Sequence, residues 1–134
     1  ALVYFLKSLK IKKTSENKAG IAETSKNIGS LYLQMKDYQN AFDYLSKGFD
    51  VAKQIDDIDI MKDYYQSFSD YYTAIGNIDK AFDNYKKYVA LEDSIFSLES
   101  NKQITEMRTK YETEKKEKEI DILTKNAEIQ KLKL

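Results

Sequence analysis

Histidine, cysteine and proline are absent from this 134-residue chain, and glycine occurs only four times. Without cysteine there is no disulfide framework, and the redox compartment is left open. Without histidine the chain lacks the most frequent general base and metal ligand of proteins. No phosphate-binding glycine loop or nucleophile motif occurs either. We therefore expect a protein that is not an enzyme and that holds no cofactor and no metal.

An excess of charge of one sign and long apolar runs are also missing. The 22 basic and 22 acidic side chains balance, so the chain has no strong basic field and nucleic acid is not an expected partner. No run of about 18 apolar residues occurs, so we expect no membrane span within it. Scarce glycine and absent proline favour long helices over a strand-rich sandwich. The composition predicts an all-α fold.

An alanine followed by apolar residues at fixed offsets recurs with a period of forty residues. The alanines are Ala1, Ala41 and Ala81. Each period carries two apolar stripes at helical spacing, which predicts two helices per unit. Such a unit buries its apolar face only against its neighbours, so the units must stack. The pattern predicts an α-solenoid of antiparallel helix pairs, and we expect a piece of a longer protein because the chain opens inside a unit.

Small and aromatic residues at a spacing of three mark the first helix of each unit, as Gly29 with Tyr32 and Ser69 with Tyr72 do. This arrangement resembles the tetratricopeptide repeat, although the period exceeds that family's usual length of about 34 residues. The resemblance covers residues 1–95 as one second-helix half followed by two whole repeats. It implies a module that binds proteins or peptides.

Residues 96–134 form a second predicted domain, a long charged C-terminal helix without glycine or proline. Apolar residues at spacings of seven and eleven keep one face of a helix and could form a two-stranded coiled coil. The polar stretch 112–119 interrupts this seam. We expect a homodimer that forms through this helix. The seam residues are Ile104, Met107, Tyr111, Ile122, Ile129 and Leu132.

A repeat array that continues into the charged segment 110–120 resembles the sensory region of bacterial signalling proteins. In that family the array leads through a charged helix to a membrane span, and then to a histidine kinase of a two-component system or to a transcriptional regulator domain. The resemblance implies an extracytoplasmic sensor region, with a cytoplasmic location as the alternative. The other functions left open are a general scaffold or assembly factor, and an intracellular peptide-binding regulator without a membrane anchor.

In tetratricopeptide proteins the first helices line the concave side, where a peptide or partner helix lies. The resemblance therefore implies a binding groove lined by polar residues of the two first helices, here called the groove set. The groove set consists of Glu23, Lys26, Asn27, Ser30, Gln34, Asp63, Gln66, Ser67, Asp70 and Thr73.

Several aromatic residues need separate interpretation. Tyr64 and Tyr65 break the repeat rule, because Thr24 and Ser25 are their counterparts one unit earlier. They either cover the junction between units or mark an interface patch. Most other rings are assigned to packing between helices, including Tyr32, Phe42, Phe49, Tyr72, Phe82 and Tyr85.

Overall fold

The computed structural model describes residues 1–133, and Leu134, the last residue of the predicted C-terminal helix, lies outside the described residues. Five α helices and no strand occur in this part of the chain, as predicted from composition. The helices are α1 (Leu2–Thr14), α2 (Lys18–Gln34), α3 (Tyr38–Gln54), α4 (Ile58–Ala74) and α5 (Ile78–Lys133).

The four turns between helices share one design. Each is three residues long, and its middle residue adopts the left-handed backbone conformation that helps to end a helix. These residues are Glu16, Lys36, Asp56 and Gly76, with φ values of 57°, 60°, 52° and 82°. The last residue of each turn accepts a hydrogen bond from the backbone amide three positions later, at 2.9 to 3.3 Å. These capping residues are Asn17, Asp37, Asp57 and Asn77.

Small residues allow the helices to approach closely. Ala41 of α3 is fully buried and Ala81 of α5 is 6% exposed. The hydroxyl of Ser69 on α4 donates to the backbone carbonyl of Ala81 at 2.9 Å, which fastens α4 to the start of α5. Ala41 and Ala81 therefore lie where a longer side chain would separate two helices.

Tyr64 of α4 inserts between α2 and α3 and is fully buried. Its hydroxyl donates to the carbonyl oxygen of Ala22 at 2.5 Å. Space for the ring comes from Ser25 on α2 and Gly48 on α3, because a Cβ added to Gly48 would collide with the Tyr64 hydroxyl. Tyr64, one of the two residues that break the repeat rule, thus joins the two helix pairs.

The contacts divide the chain into two compact units, Ala1–Ile95 and a second unit that begins at Phe96. In the first unit, Leu45 of α3 is fully buried, whereas its repeat equivalent on α5, Tyr85, is 51% exposed. The assignment of Tyr85 and Phe82 to packing is wrong, since Phe82 is also more than half exposed. The aromatic residues of α4 cover this face of α3, and in the described chain no helix follows α5 to do the same.

Candidate functional site

The groove set lies on α2 and α4, the first helices of the two complete pairs. An ion pair joins the two helices, with 3.4 Å between the ammonium nitrogen of Lys26 and a carboxylate oxygen of Asp63. None of the ten residues is buried. The structure therefore brings the two halves of the predicted set together on a solvent-accessible surface.

The charge of the groove set is predominantly negative. Its carboxylates belong to Glu23, Asp63 and Asp70, and Lys26 is its one cation. Partial burial raises the pKa of the Asp70 carboxyl above its ordinary value, although the side chain still reaches solvent. Because Lys26 is already paired with Asp63, the groove offers little to an anionic ligand and more to a cationic one.

The two tyrosines that break the repeat rule have different surroundings. Tyr64 is buried between the helix pairs, so its prediction as an interface aromatic is wrong, and the alternative of covering the junction is confirmed. Tyr65 is half-buried, and its ring lies 5.2 Å from that of Phe49 in an edge-to-face arrangement. Only Tyr65 of the two is placed where an outside molecule could touch it.

The seam residues of the second unit are exposed. Their exposed fractions are 55% for Ile104, 73% for Met107, 67% for Tyr111, 58% for Ile122, 50% for Ile129 and 87% for Leu132. A single helix cannot bury a stripe of this kind against itself. The unit therefore carries an apolar face without a partner, on which the predicted pairing of two copies depends.

The acidic run at residues 56–59 has a structural role. Asp57 caps α4 by accepting a hydrogen bond from the Ile60 amide at 3.1 Å, and Asp59 lies in the first helical turn. Acidic side chains are favourable at the positive end of a helix. Among residues 1–133 no cluster of acidic side chains could hold a metal ion, and none of the helices is apolar enough over its length to cross a membrane.

A concave feature lies on other residues of the first unit. It is a cleft of about 460 Å³ between α3, α4 and the first turns of α5, and it contains no member of the groove set. The sequence analysis did not predict this cleft, although the position of Tyr65 and the forty-residue spacing of Lys47 and Lys87 were available as signals.

Residues 20–92, more than half of the chain, match the family model described as Tetratricopeptide repeat. The chain belongs to the tetratricopeptide repeat family. The crystal structure of the TPR domain of Arabidopsis FLU is similar, with a TM-score of 0.63 and 19% sequence identity. That match covers 69% of this chain and 78% of the FLU domain, and it supports the fold. No curated protein sequence matches the chain at a significant level.

Membership of the tetratricopeptide repeat family makes this chain a helical-repeat module for protein–protein interaction. Domains of the family are generally non-catalytic. The family match begins at Gly20 and ends at Glu92, so it spans the two complete helix pairs that carry the groove set. The surface that carries the groove set is therefore the first to test for binding.

Proposed function

We propose that this tetratricopeptide chain is the sensory and interaction region of a bacterial signal-transduction protein. Residues 1–95 form the domain that binds a protein or peptide, and residues 96–134 form a connector that pairs with a second copy through the seam. The resemblance of the array and charged helix to sensor kinases and regulators motivates this proposal. The exposed seam and the accessible groove set support it.

The groove residues indicate the chemistry of the partner. Three carboxylates lie in a groove set with one cation, and that cation is bound to Asp63. Complementary charge favours the correct partner and speeds its association. We therefore expect a polar partner segment that carries lysine or arginine, lying across α2 and α4.

Peptide titration tests the groove. A labelled, capped peptide of about twelve residues that alternates Lys and Ser should bind the chain, and the matched Glu peptide should not. Asp70→Asn should weaken binding by about threefold, as expected for loss of one partly exposed charge. Asp83→Asn makes the same charge change on α5, outside the groove set, and serves as the control. Equal losses in both variants would contradict binding in the groove.

The connector transmits a binding event through a change in how its helices from two copies of the chain are packed together. A seam interrupted by the polar stretch 112–119 gives two copies no single dominant packing there. A ligand that binds one arrangement better shifts the population toward it, and an attached output domain responds to the difference. Only differential affinity for the two arrangements can produce this shift.

Disulfide cross-linking tests the pairing, and the natural chain has no cysteine to interfere. Met107→Cys should form cross-linked dimers rapidly, because two seam residues face each other in a parallel coiled coil. Thr109→Cys, on another face of the same helix, is the matched control. Similar rates for the two variants, or a monomer by light scattering at high concentration, would overturn the dimer and favour a scaffold or regulator without helix pairing.

A further inference from the structure

The cleft between α3, α4 and α5 combines an aromatic floor with charged edges. Rings of Phe49, Phe68 and Tyr72 line its floor, and Tyr65 lies beside Phe49. The centroids of Phe49 and Phe68 are 5.7 Å apart in an edge-to-face contact, and Phe49, Tyr65 and Tyr72 keep part of their side-chain surface exposed for a flat or apolar group. A volume of about 460 Å³ is in the range of sites that hold small ligands or a few side chains.

Two lysines lie at the edge of this cleft, and they are not equivalent. Lys53 pairs with Asp50 at 3.4 Å and lies over the ring of Phe49, 4.9 Å from its centroid. Lys87 lies over the ring of Tyr65 at 5.6 Å. No ion pair within residues 1–133 includes Lys87. The edge of the cleft therefore carries a net positive charge, located at Lys87.

The repeat provides an internal comparison. A smaller cleft of about 270 Å³ lies at the preceding junction, between α1, α2 and α3. Lys47 stands there at the position equivalent to Lys87, but its ammonium is paired with Asp43 at 3.1 Å. Ser25 stands at the position equivalent to Tyr65, so that position carries no ring, and the aromatic side chain that lines this cleft is Tyr44 of α3. The lysine at this repeat position is therefore paired with a carboxylate in the smaller cleft, as Lys47, and free to pair with a ligand in the larger one, as Lys87.

We propose that the cleft between α3, α4 and α5 binds an acidic peptide segment that carries an aromatic side chain next to a carboxylate. The aromatic side chain packs on Phe49 and Tyr65, and the carboxylate pairs with Lys87. A carboxylate beside an exposed ammonium gains a charge-assisted hydrogen bond, and the ring already under Lys87 holds the ammonium over the cleft. This ligand differs in charge from the cationic segment proposed for the groove, so each site can fail independently of the other.

Amide chemical shifts of the isotopically labelled 134-residue chain test the proposal. The probe is the capped tetrapeptide acetyl-Gly-Phe-Glu-Gly-amide, and its partner with glutamine in place of glutamate removes only the charge. The acidic probe should saturably shift amides around Phe49, Tyr65 and Lys87. The glutamine peptide should bind at least about fivefold more weakly, as expected for loss of one charge-assisted hydrogen bond.

Matched variants locate the interaction. Lys87→Gln should weaken the acidic probe by about fivefold, whereas Lys47→Gln, the same change at the equivalent repeat position, should alter it by less than about twofold. Tyr65→Ser, which copies the residue of the preceding unit, should also weaken the probe by about fivefold through loss of the ring. Circular dichroism confirms that each variant remains folded.

Four results would overturn the proposal, and the first three concern the acidic probe. They are the absence of saturable shifts at about 5 mM probe, equal losses in Lys87→Gln and Lys47→Gln, and shifts that map to the groove set instead of the cleft. Binding of both peptides with the same affinity would also overturn it, because the carboxylate would then contribute nothing.

Discussion

Replacing Gly48 by alanine should destabilise this protein, although helix propensity alone predicts the opposite. Gly48 lies inside α3, where alanine is ordinarily favoured over glycine by about 1 kcal/mol. The added Cβ would collide with the Tyr64 hydroxyl and lie 2.7 Å from the Cβ of Ser25. Neither neighbour can move easily, because both are buried and the Tyr64 hydroxyl donates a hydrogen bond to the carbonyl oxygen of Ala22.

The expected magnitude follows from two opposing terms. Overpacking a buried site typically costs about 1–3 kcal/mol, and the crowding at Gly48 belongs at the upper end of that range. After the propensity gain of about 1 kcal/mol is subtracted, the free energy of unfolding should fall by about 1–2 kcal/mol. Urea denaturation monitored by circular dichroism measures this change directly.

A double-mutant cycle identifies the collision. Tyr64→Phe removes the atom nearest to the added Cβ, so Gly48→Ala should cost less in that background, with a coupling of about 0.5–3 kcal/mol. Rescue will be partial, because the ring carbon that bears the hydroxyl would still be 2.8 Å away. A stabilising Gly48→Ala, or additive effects of the two substitutions, would refute the interpretation of Tyr64 as the joint between helix pairs.

Three further outcomes follow from the fold. Lys36→Gly should raise the unfolding temperature, because Lys36 has a φ of 60° and relief of left-handed strain is worth about 1 kcal/mol; a lower temperature would contradict the strain argument. Ala41→Leu should destabilise by about 1–3 kcal/mol in urea, because Ala41 is fully buried between helices; unchanged stability would count against close helix packing. Burial raises the pKa of the Tyr64 phenol, so the folded chain retains a proton that the unfolded chain releases above about pH 10. The free energy of unfolding should therefore keep its full value below that pH and fall above it by up to about 1.4 kcal/mol per pH unit. In urea denaturation between about pH 9 and 11, Tyr64→Phe should show a shallower fall of this free energy. Identical slopes for the two proteins would show that Tyr64 is accessible to water.

Periodicity in the sequence was sufficient to predict the helix pairs. The repeat alanines and the apolar stripes indicated which faces pack, because a helical pattern follows from local residue spacing. The capping residues Asn17, Asp37, Asp57 and Asn77 recur every twenty residues, a signal that sequence reasoning did not use. The left-handed conformation of Glu16 and Lys36 could not be predicted, since no local preference selects glutamate or lysine there, whereas Asp56 belongs to a residue type that is enriched in this conformation.

Contacts between units were harder to predict than the units themselves. The groove set was placed on one accessible surface, but the pairing of Lys26 with Asp63 depends on how far apart α2 and α4 lie. Tyr64 was recognised as unusual, and its burial became clear only with the space beside Gly48 and Ser25. Tyr85 fits the repeat pattern of a packed residue, yet it is exposed, because the pattern does not show whether another helix covers that face of α5.

The identical turns have a consequence for how such a protein changes its length. Because α2, α3 and α4 each contain 17 residues and the turns that join them contain three, a block of forty residues cut at one turn can be rejoined at another. The helix stop, the cap and the stacking phase then stay intact. Recombination between copies of the gene segment can thus add or remove helix pairs in whole steps with their stops and caps, whereas the joint that Tyr64 makes beside Ser25 and Gly48 would have to be rebuilt at each new junction.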